Sequence, residues 1–251
     1  MKRFTLIAAV LACGACLASA SGAEEDSALD LSGIEAIVVR AGPFDVRVSG
    51  GDRSEVSLDS QAAPDFFSDN ASASRIVRRR HGSRLTVWLE NDLLLPSPSS
   101  GQIRIRAPRD TELIVETGSG RVFVDRLEGG KCSVRTVSGR VRLYHVRGRL
   151  SAESVSGSID LEFTEGRVNA RTVSGSITGR GLHLTGDSAF SSISGSIDVE
   201  LDSALEDLGF DLHSVSGSIT VGAIRAERGL RMGFGKALVS GHTISGSMSF
   251  Q

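Results

Sequence analysis

The chain is 251 residues long, 40% apolar and 23% charged, which excludes wholesale disorder and leaves room for one large domain or two small ones. Aromatics make up only 5%, with a single Trp88 and a single Tyr144 against 29 glycines, so an aromatic platform for nucleic acid is excluded. With 28 basic and 30 acidic residues, the chain as a whole calls for no polyanionic partner.

Residues 1–20 read as a secretory signal. Lys2 and Arg3 form its positive start, Phe4 to Leu17 is apolar, and Ala18-Ser19-Ala20 supplies small residues for cleavage after Ala20. Removing them takes the net charge from −2 to −4, because the segment holds two basic residues and no acidic one. A second reading rests on Val10-Leu11-Ala12-Cys13, which resembles a lipobox and would make Cys13 a lipidated N-terminus. The expectation is an exported protein of the periplasm or cell surface, soluble or lipid-anchored. Past residue 20 no apolar run approaches the ~20 residues a membrane-spanning helix needs. Cys13 and Cys16 fall in the signal, leaving Cys132 alone with no internal disulfide.

Residues 21–32 read as a linker and 33–251 as one β-strand-repeat domain. Within it, 33–116 alternates without a signature, as in Phe44-Asp45-Val46-Arg47-Val48 and Gln102-Ile103-Arg104-Ile105-Arg106. These strands are expected to be degenerate coils or a capping sheet, with loops at 64–74 and 96–101.

From residue 117 onward the chain repeats. Thr117-Gly-Ser-Gly-Arg-Val122 returns as Thr136-Val-Ser-Gly-Arg-Val141, then as Ser154-Val-Ser-Gly-Ser-Ile159, Thr172-Val-Ser-Gly-Ser-Ile177 and Ser192-Ile-Ser-Gly-Ser-Ile197. Two more copies follow, Ser214-Val-Ser-Gly-Ser-Ile219 and Thr243-Ile-Ser-Gly-Ser-Met248. The glycines are Gly120, Gly139, Gly157, Gly175, Gly195, Gly217 and Gly246, at intervals of 19, 18, 18, 20, 22 and 29. Apolar and polar residues alternate inside each unit, so its elements are strands, and the alternation flips between Thr172 and Val173, which marks a corner.

These features predict an all-β, single-domain β-solenoid with coils of about 18–20 residues and atypical capping ends. A hairpin meander or sandwich uses the same units. The solenoid alone explains why side-chain identities repeat: Ile159, Ile177, Ile197 and Ile219 can stack as one buried ladder. The repeated glycines would sit where the backbone needs positive φ or close approach. The extra Ala204–Leu208 residues predict a loop or helical turn, and the stretch around 229–241 a C-terminal cap.

The run Ile105-Arg106-Ala107-Pro108, the segment Val115-Glu116-Thr117-Gly118-Ser119-Gly120 and the Val/Ile-Ser-Gly-Ser-Ile copies together resemble a bacterial family of β-strand-repeat proteins labelled adhesins. The likeness covers residues 33–251 and is similar in style to GIN-domain head proteins. It implies an exported solenoid-like domain and brings no catalytic residues.

No catalytic constellation stands out. There is no Gly-x-Ser-x-Gly elbow, and Gly233-Phe234-Gly235-Lys236-Ala237 lacks the spacing and final hydroxyl of a phosphate loop. His81, His145, His183, His213 and His242 read as lying at different offsets in their units, which predicts no ligand column. Asp160 and Asp198 alternate with Thr178 and Thr220, so no acidic ladder for calcium is expected. No cofactor is expected. The enzyme alternative is a β-helix polysaccharide lyase, for which Glu162, Glu165, Arg167 and Arg171 are the charged candidates.

Two binding faces remain. One is the array Ser156/Ser158, Ser174/Ser176, Ser194/Ser196 and Ser216/Ser218, which stacking would turn into two rows of hydroxyls. The other is Arg78-Arg79-Arg80, the densest basic cluster. Together they predict a non-enzymatic, adhesin-like protein attached to an envelope or extracellular polymer or protein, with a structural or sensor scaffold as the further alternative. No nucleic-acid partner is expected.

Overall fold

The computed structural model describes residues 31–52, 56–62, 74–91, 101–233 and 235–251. The signal, its cleavage site after Ala20, Cys13, linker residues 21–30 and loop residues 64–73 and 96–100 lie outside them. Strands form wherever apolar and polar residues alternate, because alternate side chains then reach one buried and one wet face.

β1 (Ala36–Arg40) and β2 (Asp45–Gly51) make a first coil, and β3 (Ser57–Ala62) and β4 (Ser74–His81) run back the opposite way. A turn at Gly82, with φ +60°, reverses the chain into β5 (Arg84–Asn91) and β6 (Gly101–Pro108). Regular coils follow: β7 (Glu112–Thr117) with β8 (Val122–Asp125), β9 (Lys131–Thr136) with β10 (Val141–Tyr144), and β11 (Arg147–Ser154) with β12 (Ile159–Glu162). The next are β13 (Glu165–Ser174) with β14 (Ile177–Leu184), and β15 (Ser188–Ser194) with β16 (Ile197–Leu201). A 3₁₀ turn at Leu205–Asp207, where a loop or turn was expected, leads to β17 (Leu208–Ser216) and β18 (Ile219–Val221). β19 (Ile224–Ala226) and β20 (Gly229–Met232) run back, and β21 (Ala237–Ser245) with β22 (Met248–Phe250) ends the chain.

Two sheets result. The first runs β4, β5, β1, β7, β9, β11, β13, β15, β21, β17, β20. The second runs β3, β6, β2, β8, β10, β12, β14, β16, β22, β18, β19. Every coil pairs with its neighbours in parallel, and among the described residues only the outermost strands β3, β4, β19 and β20 are antiparallel. Parallel stacking gives the expected solenoid and rules out the hairpin meander. No helix among the described residues is long and apolar enough to cross a membrane.

The order at the ends departs from the sequence reading. β1 and β2 lie between the β5–β6 coil and the β7–β8 coil. Likewise β21 and β22 lie between the β15–β16 coil and the β17–β18 coil. At each end the chain thus makes an inner coil, an outer coil and a reversed cap, and the two ends trace them in opposite sequence. The N-terminal strands are both coils and cap. Of the stretch around 229–241 expected as a C-terminal cap, only β20 caps, together with β19 before it, while residues 237–241 belong to β21 in the inner coil. Covering the last forward strands this way manages the exposed edge every open stack carries.

The core is a set of ladders along the stack. Ile103, Val46, Val122, Val141, Ile159, Ile177, Ile197, Met248 and Ile219 follow one another in register, and all are buried. The expected isoleucine ladder is therefore real, but Met248 stands between Ile197 and Ile219. Phe250 meets Phe190 and Phe210 edge-on, at 5.9 and 5.7 Å between ring centres, which fills the core where the last coil is inserted.

Each coil has two corners. The first is the Ser-Gly-Ser segment leading from sheet one to sheet two. The second, leading back, holds Arg126, His145 and Phe163 at φ +54°, +50° and +51°. In the following coil the same place is taken by Gly181 at φ +59°.

Candidate functional site

At the first corner the leading hydroxyl residue of each copy points inward. Thr117, Thr136, Ser154, Thr172, Ser192, Thr243 and Ser214 are all buried. Several of these hydroxyls donate to the carbonyl of a glycine one coil away: Thr117 to Gly42 at 2.8 Å, Thr172 to Gly157 at 3.2 Å and Ser192 to Gly175 at 3.3 Å. Backbone N–H groups bond back within the coil, Gly139 to Thr136 Oγ1 at 2.9 Å and Gly157 to Ser154 Oγ at 2.7 Å. This satisfies polar groups that the corner would otherwise bury unpaired.

The repeat glycines stack as Gly120, Gly139, Gly157, Gly175, Gly195, Gly246 and Gly217. A Cβ on any of the last six would run into the carbonyl oxygen of the preceding one. Close approach of backbone to backbone, not positive φ, is thus the shared requirement, and only Gly217 and Gly246 also have φ in the left-handed half of the map.

Immediately after the buried hydroxyl the pleat reverses, as the phase flip at Val173 predicts. Val137, Val155, Val173, Ile193 and Ile244 are 40–45% exposed and Val215 is 65% exposed. In stack order these form a straight aliphatic ridge. Beside it run Ser156, Ser174, Ser194 and Ser216, all exposed. Past the glycine, Ser176 and Ser196 are exposed while Ser158 and Ser218 are half-buried, so the second hydroxyl row is the more recessed. The inserted coil adds Ser245 and Ser247 to the two rows. The sequence reading foresaw the serines but not the ridge. Its signal was present, since a Val or Ile recurs at the one place where the alternation breaks.

The arginine run does not form one patch. Strand alternation turns Arg79 to the side of Thr86 and Trp88, with its guanidinium 5.4 Å from the Trp88 ring centre. Arg78 and Arg80 fall opposite Val87 and Leu85, and Arg80 Nε donates to the Gly82 carbonyl at 2.9 Å. The lyase candidates are also dispersed: Glu162 lies on sheet two, whereas Glu165, Arg167 and Arg171 lie on sheet one, with Glu165 paired to Arg147 at 3.0 Å. The histidine expectation is corrected. His213 and His242 are neighbours in register, because each lies four residues before its repeat glycine and β21 inserts beside β17. His213 Nε2 lies 3.0 Å from Asp211. Cys132 is buried in sheet one between Leu113 and Leu150, and burial pushes its thiol up to about 12.

Fold and corner together define an all-β solenoid whose exposed chemistry is repeated rather than convergent. Residues 90–234 match the model of the Toastrack DUF4097 family, more than half of the chain, and the chain belongs to that family. No curated protein matches it. Among solved structures, a "putative cell adhesion protein" from Clostridium sporogenes aligns at 9% identity over 88% of this chain and 95% of its own, with a TM-score of 0.34. A likeness at that level carries no argument. The β-repeat family supported is Toastrack, and nothing in these comparisons supports the likeness to GIN-domain heads.

Proposed function

We propose that this is an exported, non-enzymatic surface-binding protein whose Ser-Gly-Ser corner attaches it to an extended component of the cell envelope. The observation that carries this reading is the ridge of exposed Val and Ile side chains flanked by hydroxyl rows. A folded chain gains nothing from leaving a continuous aliphatic line in water, and such lines mark contact surfaces. Stacking repeats the same contact about every 4.8 Å, so weak individual contacts add along an extended partner. Catalysis requires unlike groups converging at one place, and this corner offers like groups at many places. The test is co-sedimentation of the purified protein with envelopes isolated from the producing cells, read against salt. Attachment should change little with salt and disappear when Ser174 and Ser176 are both replaced by Lys. Undiminished attachment of that variant sinks the proposal, as does release of soluble sugar products by the wild-type protein.

A further inference from the structure

The outer face of sheet one carries two columns of charge that follow opposite rules. In one column Arg40, Glu116, Arg135, Glu153 and Arg171 succeed one another in register. Signs alternate there, and the pairs Arg40–Glu116 and Arg135–Glu153 close at 3.2 and 3.0 Å. Four residues away along the strands, three cations succeed one another, Lys131, Arg149 and Arg167, with Glu112 one register step before them and Asp187 one step after. All three are exposed, and among the described residues none makes an ion pair. Like charges directly opposite on neighbouring strands destabilise a sheet, and the first column shows that this sheet accommodates carboxylates at the alternate places. A cation ladder without partners is the arrangement expected of a surface that meets an anion.

Two residues before Arg149, Arg147 enters a cleft of about 440 Å³ at the second corner, within the size range of ligand sites. Phe163 lines this cleft and is 54% exposed, with His145 stacked on it at 5.2 Å and 19° between planes. Both residues hold positive φ, which bulky side chains rarely adopt, although Gly181 meets the same need one coil further on without strain. Retaining a phenylalanine there sets an aromatic face beside the cleft, and strain of this kind gathers at functional sites. Glu128 and Glu165 stand in the same cleft beside Arg147, at 3.8 and 3.0 Å from its guanidinium. Thr164, 1% exposed, contributes to the wall a hydroxyl with no partner.

We propose that the second corner and its cation ladder bind an acidic polysaccharide lying along the solenoid axis. The apolar face of a sugar ring packs on the part of Phe163 that His145 and Gly181 leave exposed, ring hydroxyls donate to Glu128 and Glu165, and carboxylates on successive sugars meet Lys131, Arg149 and Arg167. A phosphodiester chain that offers few free hydroxyls fits less well, since it leaves the two glutamates without donors to accept from. This site lies on a different corner from the serine rows and stands whether or not those rows bind.

The test is calorimetric titration of the full-length exported protein with oligogalacturonate, with dextran oligosaccharides, polyphosphate and single-stranded DNA as the other probes. Oligogalacturonate should bind, weakening as added salt shortens the Debye length toward about 8 Å. Arg149→Gln with Arg167→Gln should weaken it at least tenfold, and so should Phe163→Gly, which the fold already accepts at Gly181. Ser174→Lys with Ser176→Lys should leave this binding intact, which separates its failure from failure of the serine corner. Absence of oligogalacturonate binding overturns the proposal, as does indifference to Phe163→Gly. Dextran, polyphosphate or DNA binding as tightly as oligogalacturonate overturns it too, in favour of a neutral-sugar or generic polyanion surface.

Discussion

Between Lys131 and Leu184 each coil rests on the coil before it in the chain and supports the one after it, whereas at the C-terminal end the chain oversteps and returns to fill a gap it left. At the N-terminal end it lays the inner coil first, builds the outer coil beyond it and then crosses to the other side. The central coils repeat one set of contacts: Gly139, Gly157, Gly175 and Gly195 in one column, Val141, Ile159, Ile177 and Ile197 in another. At the C-terminal end the same columns continue, but through Gly246 before Gly217 and Met248 before Ile219. The hydroxyl column loses its bonds there: Thr243 Oγ1 and Ser214 Oγ are buried without partners, unlike their equivalents Thr172 and Ser192. A stack is thus regular wherever neighbours are identical. The C-terminal end trades some polar satisfaction for a coil inserted inside the stack and an edge covered by reversed strands.

The largest test of that difference is deletion of residues 237–251. In a solenoid laid down in chain order this would trim only the last coil. Here it removes an inner coil and detaches β17–β20 from β15 and β16, so residues 202–236 should lose protection in hydrogen exchange while the central coils keep theirs. Retained protection across 202–236 would break the inserted-coil description.

Next in size is Gly157→Ala in the centre against Gly246→Ala at the end. Both place a Cβ against a backbone carbonyl that cannot move aside, and each should cost on the order of 3 kcal/mol, the upper end for overpacking. A shift of the denaturant midpoint at Gly157 alone would show that the glycine column stops short of the inserted coil.

Burial of the apolar ladder is the third comparison. Ile177→Ala and Met248→Ala should each cost ~2–5 kcal/mol by denaturant unfolding. A double-mutant cycle sharpens the point: Ile197 with Met248 should show coupling of roughly 0.5–3 kcal/mol, as expected for contacting residues, whereas Ile197 with Ile219 should be close to additive. The reverse outcome would restore stacking in chain order.

The smallest effect expected is alkaline. Burial raises Cys132 from 9.0 to about 12, so the folded state holds its proton where the unfolded chain has released it. Its contribution is complete below pH 9 and fades as pH climbs toward 12. Cys132→Ala should remove that part of the decline in stability, visible as a flatter midpoint-against-pH curve above pH 9. An unchanged slope would place the decline elsewhere.

Much of the candidate site was legible because stacking converts sequence period into spatial adjacency. The serine rows and the glycine column follow directly from the recurrence of Ser-Gly-Ser. The second corner was equally periodic, with Arg126, His145, Phe163 and Gly181 each six residues after a repeat glycine. It escaped notice because those residues share a backbone conformation and not a chemistry. The pair His213 and His242 shows the opposite case, identical residues at one offset separated by the reversed cap.

What the sequence by itself determined was the unit: strand, corner, strand, with alternation choosing the buried face and glycine required where backbones touch. Those are local or nearest-neighbour demands, and a repeat writes them out several times over. Only the tertiary structure decided the order of the units at the two ends. Parallel pairing of one coil on another is satisfied equally by any coil of matching register, so Met248 serves beside Ile197 as well as Ile219 would. The choice between them falls to the open edge, which the reversed strands β3–β4 and β19–β20 must cover, and that demand belongs to the whole stack rather than to any one repeat.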